Sequence, residues 1–256
     1  MKFQKKLNKI IKNNNSLLCI GLDPDLEKIQ TSIFEFNKKI IDSTYDLACA
    51  YKPNIAFYEA CGIDGLKQLK LTIEYVKKNY PQIPVILDAK RADVPNTAKK
   101  YAKAVFEYWK ADAVTVYPNL GLDSVLPFLE YKDKLTIFII KTSNPDSGTF
   151  QNLPIDKKPY YLKMAKIIKT WKYGNIGLFV GATYPKELKD IRNIFPDRVF
   201  LSAGFGTQNA DIEKAVKAGI DKQKSGIMFN ASRSILYAKN PRKEAINLRN
   251  IINKYR

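Results

Sequence analysis

The chain has 256 residues, 45% of them hydrophobic and 27% charged, which is enough apolar content for one large core. It contains no histidine, which excludes Ser-His-Asp and Cys-His nucleophile systems and zinc sites with imidazole ligands. Lys and Arg number 43 against 25 Asp and Glu, a formal net charge of +18. Acid–base chemistry therefore falls to Lys, Asp, Glu, Tyr or Cys, and the diffuse positive field favours anionic ligands such as phosphate esters.

The basic residues are spread along helix-like segments beside Glu and Asp. No Lys/Arg block is long enough to be a tail, and no aromatic RNA-binding signature occurs. We read them as solvated helix faces, with no nucleic acid as partner. Cys19, Cys49 and Cys61 are odd in number, fit no metal spacing and lie in apolar stretches. Buried reduced thiols and a cytoplasmic location are the expectation. The basic start, Met1 to Lys12, imitates a signal peptide. The apolar run after it is short, ends at Asp23-Pro24-Asp25, and is followed by no small-residue cleavage site. No window reaches the roughly 18 apolar residues of a membrane span.

Eight short apolar runs punctuate the chain: Leu17–Leu22, Ala50–Ala56, Val85–Leu87, Ala113–Val116, Leu135–Ile140, Ile176–Val180, Val199–Leu201 and Gly226–Phe229. The segments between them carry helical spacing, as in Ile33, Phe36, Ile40, Ile41, Tyr45 and Leu47, in Tyr101, Ala104, Val105, Tyr108 and Trp109, or in Ile212, Ala215, Val216 and Ile220. Each unit takes about 32 residues, ordinary for a strand and a helix with their loops. Strands alternating with helices predict a parallel sheet, and eight units predict an α/β fold of one (β/α)8 TIM-barrel domain over residues 1–256, with an open doubly wound sheet as the alternative. The longest expected loop, Thr142–Lys157, follows the fifth strand.

In such a barrel the chemistry sits at the C-terminal ends of the strands. Asp88 and Lys90 are two apart and share a strand face. Asp93 falls in the next turn and is placed to curl back toward Lys90, while Lys52 ends the neighbouring strand. Two cations and two anions are thus expected at one mouth, balanced in alternation. The alternatives for these residues are a salt-bridge network closing the barrel end and a helix N-cap by Asp93. Gly204-Phe205-Gly206 follows the seventh strand and Ser232-Arg233 the eighth. This pair of loops forms the common phosphate site of such barrels, where glycines open backbone N–H groups to an anion and Arg supplies a bidentate fork.

Asp88-Ala-Lys90-x-x-Asp93 with Thr97 four residues on resembles the signature of the orotidine 5'-phosphate decarboxylase family. Gly21-Leu22-Asp23, Lys52-Pro53-Asn54, Ser143-Asn144-Pro145, Gly204-x-Gly206-x-Gln208 and Arg233 match in order, from about Leu18 to Ser234. Tyr51–Gly62 and Lys141-Thr-Ser-Asn-Pro look most like its bacterial type 2 and apicomplexan branch. Ala203 stands where many members have Pro, and Ala92 where many have Gly. The first departure bears on the loop that grips the phosphate.

The resemblance implies a cofactor-free and metal-free homodimer that converts orotidine 5'-monophosphate to UMP and CO2. It implies Lys90 as proton donor to C6 of the pyrimidine, Asp88 facing the substrate carboxylate, and Asp93 and Thr97 supplied by the partner subunit. Lys52 completes a charged tetrad and contacts the ribose. Asp23 and Asn54 hold the ribose region, Ser143 reads the pyrimidine, and Gln208 and Arg233 hold the phosphate beside Gly204, Gly206 and Ser232. Two rivals remain: a magnesium-dependent sugar-phosphate decarboxylase or aldolase of the same superfamily, and a non-catalytic basic nucleotide-binding barrel. Lys52, where the magnesium enzymes have an acid, argues against the first, and the charged tetrad against the second.

Overall fold

The structure is a computed structural model that describes residues 2–204 and 211–256. The expected apolar runs form eight parallel strands: β1 (Leu18–Leu22), β2 (Ala50–Pro53), β3 (Ile86–Arg91), β4 (Ala113–Val116), β5 (Leu135–Lys141), β6 (Ile176–Val180), β7 (Phe200–Ala203) and β8 (Ile227–Ala231). Their order is 2-1-8-7-6-5-4-3. The parallel bridges Tyr51–Val85 and Asn54–Asp88 join β2 to β3 and close the ring. The strands are apolar and buried almost throughout, because the barrel interior covers one face and the helices the other.

Four local features depart from the sequence expectation. A first helix, Lys2–Asn14, was not predicted. Its apolar residues Phe3, Leu7, Ile10 and Ile11 recur at helical spacing among lysines, and all four are buried. Phe3 N donates to Asp133 O at 3.3 Å, and Lys6 Nζ lies 3.1 Å from Asp112, so the helix is tied to the turns that precede β4 and β5. The run Ala50–Ala56 stops as a strand at Pro53. Asn54 Oδ1 accepts from Ala56 N at 3.2 Å and starts the short helix Ala56–Glu59.

The segment 142–157 is not an open loop. It holds the 3-10 turn Pro145–Ser147, the helix Gly148–Gln151 and most of an antiparallel hairpin pairing Pro154–Ile155 with Lys158–Pro159. Asp156 and Lys157 turn that hairpin with positive φ, 48° and 62°. Finally, Cys19 and Cys49 are buried as expected, but Cys61 is partly exposed near the end of the short helix. Burial pushes the Cys19 thiol up to about 12, which keeps it unreactive.

One charged residue binds the base of the barrel. Arg192 is 6% exposed. Its guanidinium donates to Gly219 O at 2.8 and 2.6 Å, Gly226 O at 2.9 Å, Arg198 O at 2.8 Å and Phe195 O at 3.2 Å. It also lies 3.7 Å from the Phe200 ring centroid. One planar fork thus joins helix Pro185–Ile194, helix Ile212–Gly219 and the turns entering β7 and β8. Arg192→Met should cost about 3 kcal/mol of unfolding free energy, because several buried carbonyls lose their donor at once. Urea unfolding checks this, and a loss under about 1 kcal/mol would contradict it.

Candidate active site

The strand ends converge on Asp88, near the end of β3 and 8% exposed. Lys52 Nζ from β2 lies 3.0 Å from Asp88 Oδ2, and Lys90 Nζ lies 2.8 Å from Asp88 Oδ1. Thr115 from β4 donates to Asp88 Oδ1 at 2.7 Å and accepts from Lys90 N at 3.0 Å. Burial by itself would raise the Asp88 carboxyl. The two ammonium groups, Lys52 first and Lys90 next, outweigh it and hold the carboxyl well below the usual carboxylate range. Burial would likewise lower the Lys52 ammonium, but Asp88 and then Asp23 outweigh it and raise it above the ordinary lysine value. This is a compact charged cluster in which one carboxylate is shared by two ammonium groups.

Lys90 reaches Asp88 through a local irregularity. The register of β3 against β4 shifts between Leu87 and Arg91, and Lys90 takes φ +46°. A bulge at a strand end re-aims a side chain, and a non-glycine residue in this conformation is strained. The Lys90 side chain remains 41% exposed toward the mouth, against 4% for Lys52. Lys90 is thus the more exposed lysine of the cluster.

Two adjoining cavities open on the cluster. The first, about 240 Å³, is lined by Lys90, Thr115, Tyr117, Ile139, Ser143 and Phe179 beside Lys52 and Asp88. The second, about 260 Å³, is lined by Asp23, Asn54, Gly204, Asn230, Ser232 and Arg233, again beside Lys52 and Asp88. Asp23 Oδ1 accepts from Asn54 N at 3.1 Å and so joins the end of β1 to the end of β2. At Gly21 an added Cβ would sit 2.7 Å from Ser232 Cβ, so only glycine lets β1 approach the loop after β8. Gly204 has φ +118°, again a glycine conformation. A larger cavity of about 610 Å³ opens at the other end of the barrel, beside Lys12, Lys224 and Arg256. Among the described residues no acidic side chain lines it.

The chain matches the model of the orotidine 5'-phosphate decarboxylase / HUMPS family over residues 16–248. That is nearly the whole length. It belongs to this family. A relative named orotidine 5'-phosphate decarboxylase from Cellvibrio japonicus is 46% identical over 251 residues, 94% of this chain and 91% of that one. Another of the same name, from Cupriavidus metallidurans, is 43% identical and covers 100% of this chain and 99% of its own. The solved OMP decarboxylase of Leishmania donovani superposes with TM-score 0.91 at 37% identity, covering 100% and 99% of the two chains. The UMP synthase of the same organism superposes with TM-score 0.93 at 38% identity. This chain spans 56% of that longer chain.

Lys52, Asp88, Lys90, Asp23, Asn54, Ser143, Gly204, Ser232 and Arg233 all lie around the two cavities. Gly206 and Gln208 lie outside the described residues. The expectation that Asp93 turns back to Lys90 does not hold within one chain. Asp93 Oδ1 accepts from Val94 N at 2.8 Å, and no ion pair joins it to Lys90 among the described residues. The cause is local. Pro95 opens the next helix and keeps Val94 extended, at φ −59° and ψ 157°. Asp93 is not the helix N-cap either, since Val94 holds that position without a side-chain cap. Thr97 sits in the first turn of that helix, Pro95–Lys103.

Among the residues that carry no role in the sequence reading yet line the cavities are Thr115, Tyr117 and Asn230. Thr115 is the polar residue of an apolar strand, a signal that was available. Asn230 Oδ1 and Ser232 Oγ are buried without a hydrogen-bond partner among the described residues. Buried polar atoms of this kind facing a cavity suit a polar ligand. Among the described residues, no group of three or more Cys, Asp or Glu side chains could hold a metal ion, and no helix is long and apolar enough to cross a membrane.

Proposed function

We propose that the chain decarboxylates orotidine 5'-monophosphate to UMP and CO2, the last step of de novo UMP synthesis, without metal or organic cofactor. The observation that carries this reading is Asp88 held between Lys52 and Lys90, with the more exposed ammonium turned to the mouth. The substrate is a monoanionic base on a phosphorylated ribose. The cavity bearing Lys90, Ile139 and Phe179 suits the pyrimidine, and the one bearing Asp23, Asn54, Ser232 and Arg233 suits the ribose phosphate.

In the first step the C6–carboxylate bond breaks, its electron pair stays on C6, and CO2 leaves. The Lys90 ammonium stabilises that developing charge in a partly dewatered site and then gives its proton to C6. Asp88 lies beside the departing carboxylate and fixes the Lys90 head. Lys52 keeps Asp88 ionised and meets the ribose side. Ser143 reads the pyrimidine. Gln208 and Arg233, with Gly204, Gly206 and Ser232, take the phosphate, which does not react but anchors the transition state at a distance. The protein acts as a cytoplasmic homodimer, with Asp93 and Thr97 of each subunit completing the site of the other. Val94, beside Asp93, is 60% exposed, which suits coverage by a partner.

A magnesium-dependent relative of the same superfamily is the rival. The oxygens of Asp88 are already taken by two ammonium groups and a hydroxyl, a donor set that repels a divalent cation. Ultraviolet absorbance should follow complete conversion of orotidine 5'-monophosphate by wild-type protein in excess EDTA. A requirement for magnesium, or no conversion, would overturn the proposal.

A further inference from the structure

Lys141, the last residue of β5, has no exposed surface. Among the described residues no carboxylate forms an ion pair with it. Its Nζ donates to Asn152 Oδ1 at 3.0 Å and rests 4.6 Å from the Tyr184 ring centroid. Burial lowers its pKa, with only distant help from Glu187 in the other direction. A buried ammonium without a carboxylate is costly, and an apolar side chain of similar length would fill the same space without that cost. The lysine therefore calls for an explanation beyond packing.

One partner, Tyr184, holds the segment that carries Ser143 directly, and the other, Asn152, adjoins Gln151, which holds it too. Next to Asn152, Gln151 Oε1 accepts from Thr142 N at 2.9 Å. The Tyr184 hydroxyl donates to Asn144 O at 3.1 Å and accepts from Ser147 Oγ at 3.0 Å. Beside it, Thr183 Oγ1 donates to Ser143 O at 3.2 Å. The backbone after β6 is pressed against the same point, since a Cβ on Gly181 would sit 2.7 Å from Ser143 Cα. Ser143 itself lines both cavities. Lys141 touches both the loop after β5, through Asn152, and the loop after β6, through Tyr184.

We propose that Lys141 is a positioning residue: its buried ammonium ties Asn152 to Tyr184 and thereby holds Ser143 at the mouth in the place the substrate ring requires. This rests on the activity proposed above. The test places Lys141→Met in wild-type and Ser143→Ala backgrounds and measures kcat and KM for orotidine 5'-monophosphate. In wild type, kcat/KM should fall about 10- to 100-fold, as a displacement near 1 Å does. In the Ser143→Ala background the further loss should be under about threefold, because the two residues act as one unit. Equal losses in both backgrounds overturn the inference.

Asn152→Leu removes the same hydrogen bond at an exposed position, serves if Lys141→Met does not fold, and should show the same dependence on Ser143. Hydrogen exchange at the Thr142 amide gives a readout that needs no substrate. It should accelerate about tenfold or more in Lys141→Met. Unchanged protection overturns the inference. Accelerated exchange in the variant together with no turnover by wild type would support the clamp and overturn the activity instead.

Discussion

Lys90→Ala should lower kcat/KM for orotidine 5'-monophosphate by about ten-thousandfold or more, because one side chain supplies both the charge that stabilises C6 and the proton that ends the reaction. UMP binding should change by no more than about tenfold, since Asp23, Asn54, Ser143 and Arg233 remain around the cavities. The fold should survive. The Lys90 side chain is 41% exposed, and its backbone N–H stays with Thr115. Alanine at φ +46° keeps a strain of order 1 kcal/mol that the lysine already bears. Steady-state kinetics with a UMP titration separates the outcomes. Turnover within tenfold of wild type would remove Lys90 from the chemistry. Equal collapse of turnover and UMP binding would make it a binding residue.

The second large effect is recovery on mixing. Asp93→Ala and Lys90→Ala should each be nearly inactive alone. Mixed under conditions that allow subunit exchange, they should regain up to about a quarter of wild-type activity, since half of the dimers are then hybrid and each hybrid has one intact site. The reasoning starts from the geometry within one chain: Lys52, Asp88 and Lys90 meet, whereas the Asp93 carboxylate binds the neighbouring Val94 N–H. If hybrids form, as native mass spectrometry would record, and activity does not return, Asp93 is not shared between subunits.

The strands were legible because a parallel barrel buries both faces of each strand, which writes short continuous apolar runs into the chain. The charged cluster was legible for a related reason: Asp88 and Lys90 interrupt such a run where only a strand end tolerates them. The first helix was not, because its buried stripe of Phe3, Leu7, Ile10 and Ile11 is interleaved with lysines that imitate the basic start of a signal peptide. The placement of Asp93 was not legible because it follows from Pro95, which keeps Val94 extended while the Asp93 carboxylate accepts from the Val94 N–H. The contacts of Arg192 and Lys141 were not legible for a third reason. Each sits within an ordinary basic composition, and only the fold puts five carbonyl contacts around one and an aromatic face and an amide beside the other.

The most direct test of the central claim uses orotidine 5'-monophosphate labelled with carbon-13 in its carboxylate, turned over by wild-type protein in D2O with EDTA and followed by NMR. The reaction derived above predicts one labelled CO2 for each UMP formed and a deuteron at C6, delivered by the exchanged Lys90 ammonium. Retention of the label in the product, or no product until magnesium is added, would contradict it.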